Sequence, residues 1–250
     1  MISKKKDVTL ELKKLFVDSK DFQNIHEVEV PDEMNRKVKC GIDFIDEMFG
    51  NGEQVGFTPG TVTIFTGSPG AGKSTLSLQM ANGFAEQGII TAYSSSEEHI
   101  SQIKKTVERL GLEYPFFVSN SNSIENVLRQ AKAKEVKVLF VDSLQMMGCE
   151  KYDPGTNKAS KVVAQKILQF CKQNFVIGMI VGHVTKQNVL AGPLMIKHAL
   201  DIHMHMDLCS NVNCVECPPG TRKIYIEKNR FGKSHETQQL FLFPQGFKKI

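Results

Sequence analysis

Between residues 61 and 181, short apolar runs alternate with longer stretches of helical spacing. Thr61–Phe65, Ile89–Ser94, Phe116–Val118, Val136–Val141 and Phe175–Val181 are the short runs, and each predicts a strand. Lys73–Glu86, Glu97–Leu110 and Lys158–Asn174 predict helices, as does a segment opening at Asn122, with Glu125 three residues on, and running to Lys134. Continuous apolar strands separated by helices predict an α/β fold, with a mostly parallel central sheet and helices on both faces. After residue 200 the period changes. Leu200, Ile202, Met204 and Met206 alternate with polar residues, as do Ile224 with Ile226 and Leu240 with Leu242. These runs predict antiparallel strands at the C-terminal edge of the sheet. Residues 1–38 are polar apart from Leu10, Leu12, Leu15 and Phe16, which can form one apolar helical stripe. Such a stripe is too short to fold alone. The expected organisation is therefore an N-terminal arm, 1–38, packed on the core or on a neighbouring subunit, and a core spanning 39–250.

Composition narrows the class. A chain of 250 residues accommodates one sizeable domain plus an arm. Lys and Arg total 31 against 27 Asp and Glu, so the formal charge of +4 neither requires nor opposes a nucleic-acid partner. No apolar run approaches the roughly 20 residues that cross a bilayer. The basic start, Met1 to Lys6, is followed by no apolar signal region. A cytoplasmic protein without a membrane partner, its cysteines reduced, is expected. Cys40, Cys149 and Cys171 are scattered and read as packing residues, whereas Cys209, Cys214 and Cys217 are clustered.

The strongest chemical signal is Gly67-Ser68-Pro69-Gly70-Ala71-Gly72-Lys73-Ser74, which fits G-x-x-x-x-G-K-[ST] and continues into Thr75. It follows a predicted strand and opens a predicted helix, the context a phosphate loop requires. Glycines let the backbone wrap a phosphate with its N–H groups inward, and the helix N-terminus adds partial positive charge. ATP with Mg²⁺ is the expected ligand, Lys73 reaching the β- and γ-phosphates and Ser74 holding the metal. Asp142 ends the apolar run from Val138 and is the candidate metal-orienting carboxylate, acting through water. An aspartate at a strand end is also common in turns. Hydrolysis needs a group to orient or deprotonate water. Glu97, after the strand that follows the phosphate-loop helix, is the candidate base. The adjacent Glu97 and Glu98 would equally suit the solvated opening of a helix.

Several elements resemble the RadA/Sms family of bacterial DNA repair ATPases. They are Gly182-His183-Val184-Thr185-Lys186, then Ala191-Gly192-Pro193, His198 and Asp201, and above all Lys228-Asn229-Arg230-Phe231-Gly232. Gly41-Ile42-Asp43 and Asp142-Ser143-Leu144-Gln145 agree as well, and the resemblance spans about residues 38–247. It implies a RecA-like P-loop core related to DnaB-type helicases. It also implies a homo-oligomer (a ring, hexameric by analogy, or a filament) with ATP between subunits and single-stranded DNA in a central channel. In such assemblies a KxR pair reaches the neighbour's γ-phosphate, so Lys228 and Arg230 are implied as trans-acting catalytic residues. Without the resemblance they would read as a solvated strand end. His183 is implied as a γ-phosphate sensor or as a polar residue beneath the nucleotide. The pattern also departs from the family. The usual four-cysteine zinc finger and Lon-like domain are not seen, Gln187-Asn188 stands for Glu-Gly, Lys197 for Glu, and Ser95-Ser96 for Ser-Gly. A stripped or divergent relative is expected.

DNA contacts are expected from two Gly- and Lys-containing segments, 146–160 with Lys151 and Lys158, and 183–197 with Lys186 and Lys197. Loop lysines are often merely solvated, so this placement rests on the resemblance. Cys209, Cys214 and Cys217, with His205, have the donor types of a tetrahedral Zn²⁺ site, though reduced loop cysteines fit the same spacing. The expected function is an ATP-dependent DNA-binding motor, a single-stranded DNA translocase or helicase or a recombination-repair ATPase. The alternative is a KaiC-like regulatory ATPase acting on protein partners, and a small-molecule kinase fits the loop pattern less well.

Overall fold

A computed structural model describes residues 25–183, 196, 199–209 and 220–249. The chain divides into two compact units, Met1–Asn35 and Arg36–Ile250. Of the first, the described residues form two exposed 3-10 turns, Ile25–Glu27 and Asp32–Met34. The apolar stripe at residues 10–16 lies outside the described residues.

The second unit is built on one nine-stranded sheet in the order β3-β2-β4-β5-β1-β6-β7-β8-β9. Its strands are β1 (Val62–Gly67), β2 (Thr91–Ser95), β3 (Phe117–Ser119), β4 (Val138–Asp142), β5 (Ile177–Val181), β6 (Ile202–Leu208), β7 (Thr221–Asn229), β8 (Thr237–Phe243) and β9 (Gly246–Lys249). The helices are α1 (Asp43–Phe49), α2 (Lys73–Glu86), α3 (Ile100–Leu110), α4 (Ile124–Ala133) and α5 (Asn157–Asn174). The first six strands are mutually parallel, and β7, β8 and β9 follow as an antiparallel meander. Alternation along the strands feeds two cores. Phe65, Phe140, Met204, Met206 and Ile224 join Phe49, Phe57 and Phe84 on one side. Val62, Ile64, Leu139, Val141 and Ile180 join residues of α4 and α5 on the other. The sheet is thus covered on both faces, as the apolar runs predict.

Three expectations are corrected. The alternation predicts an antiparallel β6, but this strand pairs in parallel with β1, Thr63 opposite Ile202 and Gly67 opposite Met206. The same alternation suggests one solvated face, yet His203 and His205 are each only 4% exposed. They are buried because hydrogen bonds meet their polarity, the condition on which polar groups enter a core. The helix expected from Glu97 begins at Ile100, because Ser95 Oγ accepts from the N–H groups of Glu97 and Glu98 and holds them in a turn. His99 then caps it, in reciprocal contact with Gln102. The helix expected from Asn122 is capped instead by Ser123, whose Oγ accepts from Asn126 N–H.

Candidate nucleotide-binding site

Gly67 closes β1 and α2 opens at Lys73, so the span between strand and helix forms the candidate phosphate loop. Two of its glycines are required by space. A Cβ on Gly67 would run into the carbonyl oxygen of Met206 on the neighbouring β6. Gly72, with φ +105°, would put one 2.5 Å from the Phe247 ring, which β9 lays against the loop. Gly70, with φ +76°, faces open space. No side chain caps α2, so its first-turn N–H groups face the loop without a protein acceptor from the cap position. An uncapped fourteen-residue helix behind a glycine loop fits a phosphate chain.

Lys73 is buried, its ammonium donating to the carbonyls of Gly67 at 2.8 Å and Ser68 at 3.0 Å. Burial lowers its pKa, and the carboxylates of Asp142 and Glu97 oppose that shift. Asp142, at the end of β4, is 5% exposed. Burial raises its pKa against hydrogen bonds from Ser74 and Tyr93. Its Oδ2 accepts from the buried Tyr93 hydroxyl at 2.6 Å. Ser74 and Asp142 thus form a hard oxygen pair beside Lys73, a donor set suited to Mg²⁺.

Glu97 lies beyond the end of β2 and accepts from Ser143 Oγ. His183 Nε2, from just beyond β5, lies 2.7 Å from the same Oε1. Burial alone would raise the Glu97 pKa, but these two hydrogen bonds and the nearby His183 and Lys73 charges lower it. Glu98 behaves oppositely: burial, then Asp142 and Glu97, raise its pKa. Gln145 holds the backbone of His183, accepting from its N–H at 3.2 Å. Adjacent parallel strands thus deliver Lys73, Ser74, Asp142, Glu97 and His183 to one end of the sheet. This is where ligands bind in open α/β folds.

Lys228 and Arg230 lie at and just past the end of β7. Lys228 Nζ donates to the Leu200 carbonyl at 2.6 Å, and Arg230 Nη1 lies 3.3 Å from Asp201 Oδ1. Asp201 is buried and also accepts from Val62 N–H at 3.1 Å, tying this corner to the start of β1. Lys151 is exposed in the turn bridged by Cys149 and Tyr152, and Lys158 is exposed in the first turn of α5. Lys186, Lys197, Cys214 and Cys217 lie outside the described residues. Cys209 follows β6 and is half-buried. Both ring nitrogens of His205 are engaged, Nδ1 with Thr66 at 2.7 Å and Nε2 with Asp207 at 2.9 Å. Among the described residues no group of three or more His, Cys, Asp or Glu forms a metal site. None of their helices is long and apolar enough to cross a membrane.

Sequence reasoning missed the roles of Tyr93, Ser143 and Asp201. Tyr93 and Ser143 carried a usable signal: a phenol two residues from a strand end and a hydroxyl directly after Asp142 both point where the sheet gathers its charges.

Comparison with known proteins agrees with this geometry. Residues 38–121 match a family model described as KaiC ATPase. The DNA repair protein RadA of Mycobacterium tuberculosis is 31% identical over 220 residues, covering 86% of this chain and 44% of that protein. RadA of Salmonella typhimurium is 32% identical over 217 residues, covering 86% and 45% respectively. The chain therefore spans less than half the length of these relatives. Among solved structures, the ATPase domain of a DnaB-type helicase superposes with a TM-score of 0.73 at 12% identity, covering 90% of this chain and 95% of that one. A KaiC-like protein from Pyrococcus horikoshii OT3 gives 0.67 at 21% identity, covering 86% and 99%. These likenesses establish a RecA-like ATPase fold.

Proposed function

Since the chain is RadA-like over most of its length, we propose that it is an ATP-dependent DNA-binding motor, a translocase, helicase or recombination-repair ATPase. The observation that carries this reading is the convergence of Lys73, Ser74, Asp142, Glu97 and His183 on the uncapped start of α2. The phosphate loop, Gly67 through Thr75, binds the triphosphate of ATP. Bound Mg²⁺, held by Ser74 and by Asp142 through water, neutralises charge between the β- and γ-phosphates. Lys73 moves from its loop carbonyls to the phosphates. Glu97, kept ionised by Ser143 and His183, accepts a proton from the attacking water. His183 links that carboxylate to the loop following β5, so a change in the loop reaches the base directly.

Lys228 and Arg230 act on a neighbouring subunit's nucleotide, which makes the working unit a homo-oligomer, a ring or filament. Residues 1–38 form an arm that packs between subunits, and 39–250 form the ATPase core. Single-stranded DNA contacts Lys151, Lys158, Lys186 and Lys197, and the protein works in the cytoplasm. Zn²⁺ on Cys209, Cys214 and Cys217 is a separate reading. With both its nitrogens engaged, His205 does not fit as the fourth ligand. A metal assay after zinc-replete expression tests it, and less than about a tenth of an equivalent per chain excludes it.

The KaiC description matched at residues 38–121 favours a second reading, a regulatory ATPase acting on protein partners. ATPase rate with and without single-stranded DNA, run beside a sizing measurement, separates the two. Stimulation by DNA of an oligomer supports the motor; hydrolysis indifferent to DNA supports the regulator.

A further inference from the structure

Outside the nucleotide site, five polar side chains form an unbroken row across three adjacent strands. Glu227 Oε2 lies 2.6 Å from His203 Nδ1. His203 Nε2 lies 2.6 Å from Thr66 Oγ1, and Thr66 Oγ1 lies 2.7 Å from His205 Nδ1. His205 Nε2 lies 2.9 Å from Asp207 Oδ1. Thr66, His203 and His205 are all at least 95% buried. The ends of the row are informative. Thr66 directly precedes Gly67, the first residue of the phosphate loop, and Glu227 directly precedes Lys228. Glu227 is also the extra residue of a β-bulge: His203 faces Lys228 while Met204 faces Ile226, so the register of the ladder steps over Glu227. A bulge re-aims a side chain, and this one turns Glu227 onto His203.

The protons in the row can be counted. Each of the four contacts needs one proton between its heavy atoms. Two neutral imidazoles and one hydroxyl carry three protons, and ionised carboxylates carry none. The row therefore closes only when it takes one further proton from solvent. With that proton on His203, Thr66 donates to His205; with it on His205, Thr66 donates to His203. Both arrangements fill all four contacts, and rotation of the Thr66 hydroxyl converts one into the other. The charged and titratable neighbours among the described residues are few. Tyr225 packs its ring 5.2 Å from that of His205. Lys223 faces Asp207, and Lys228 faces His203 with its ammonium on the Leu200 carbonyl.

We propose that Glu227, His203, Thr66, His205 and Asp207 form a proton-loaded brace that positions the strand carrying Lys228 and Arg230 against the strand that opens the phosphate loop. Its members touch no substrate; they are positioning residues. When solvent withdraws the extra proton, one contact is left with two lone pairs face to face, and the two strands lose their fixed register. The brace rests on the reading of the site as an ATPase, but its proton content is a property of the isolated protein.

Two measurements test it. The first is ¹⁵N chemical shifts of the ring nitrogens of His203 and His205 in the wild-type protein without nucleotide. The brace requires one proton beyond two neutral rings, shared between them and lost on raising the pH. Two neutral rings throughout would overturn it, whatever the ATPase result. The second is the pH profile of ATP hydrolysis from about pH 6 to about pH 9.5, a range that spans histidine titration. Wild type should decline on the alkaline side. Thr66→Val separates the row into two short pairs that need no extra proton. It should lower kcat on the order of tenfold at the acid end, with KM little changed, and lose the alkaline decline. Thr66→Ser, which restores the hydroxyl, should restore the profile. An alkaline limb that is the same in Thr66→Val and wild type would refute the brace while leaving the ATPase reading intact. Failure of Lys73→Ala to abolish turnover, with the extra proton present by ¹⁵N shift, would refute the ATPase reading and leave the brace as a structural element.

Discussion

Tyr93→Phe removes a single oxygen and tests how the buried Asp142 carboxylate is maintained. The phenol donates to Asp142 Oδ2 at 2.6 Å in a site where the carboxylate is 5% exposed. A hydrogen bond to a charged group contributes about 1.5–3 kcal/mol when its loss leaves a buried acceptor short of a donor. Taking about 2 kcal/mol, and the roughly 2–4 °C per kcal/mol typical of a chain this size, Tm should fall by roughly 4–8 °C at pH 8. The pH dependence has a definite sign. Burial already raises the folded-state pKa of Asp142 above its unfolded value. Between those two values the native state binds the extra proton, so this group's contribution to stability falls as pH rises through that window. Loss of the Tyr93 donor raises the folded-state pKa further. The deficit of the variant should therefore widen from acid to neutral pH and shrink near pH ~4, where the carboxyl takes up its proton. Thermal unfolding by circular dichroism at several pH values, without nucleotide, measures this directly. An unchanged Tm at pH 8, or a deficit larger in acid than at neutrality, would refute the reasoning. So would a double-mutant cycle with Asp142→Asn that shows no coupling.

Lys73→Ala should abolish ATP turnover by removing the cation beside Ser74 and Asp142, and wild-type turnover in a coupled phosphate-release assay would sink the phosphate-loop assignment. Glu97→Gln should bind ATP while losing hydrolysis on the order of 10²–10⁴; if Glu98→Gln shows that loss and Glu97→Gln does not, the base is the neighbouring carboxylate. Arg230→Ala should keep nucleotide binding and lose hydrolysis at saturating ATP, and mixing it with Lys73→Ala should restore part of the rate. Verified co-assembly without rescue would count decisively against a trans-acting Arg230.

Much of the fold was legible because it follows local rules. The glycine loop declares itself by spacing, and the apolar runs of β4 and β5 declare a sheet covered on both faces. The direction of β6 was not legible, because a strand's orientation depends on where its connection leads and not on its own residues. His203 and His205 misled for a related reason: alternation registers polarity, and only the fold reveals that Thr66, Asp207 and Glu227 meet that polarity in the interior. α1 escaped notice because seven residues offer too little periodicity to read. At the site, the sequence pointed to Glu97, but its restraint by Ser143 and His183 depends on three strands arriving at one end of the sheet.

The place of β1 in the strand order bears on how the protein is made. The strand that leads into the phosphate loop leaves the ribosome before every other strand of the sheet, yet its neighbours on either side are β5 and β6. Its Val62 N–H finds the Asp201 carboxylate 139 residues later in the chain. Until both of those strands have been synthesised, β1 has two unpaired edges and the loop it carries has no wall. Contacts this distant close slowly, because chain entropy is lost before they form. Nascent chains ending before residue 200 should therefore fail to retain nucleotide, even though every residue of the glycine loop is present. Acquisition of nucleotide binding would then serve as a timer for completion of the sheet, and the exposed edges of β1 mark the interval in which the growing chain is most open to mispairing.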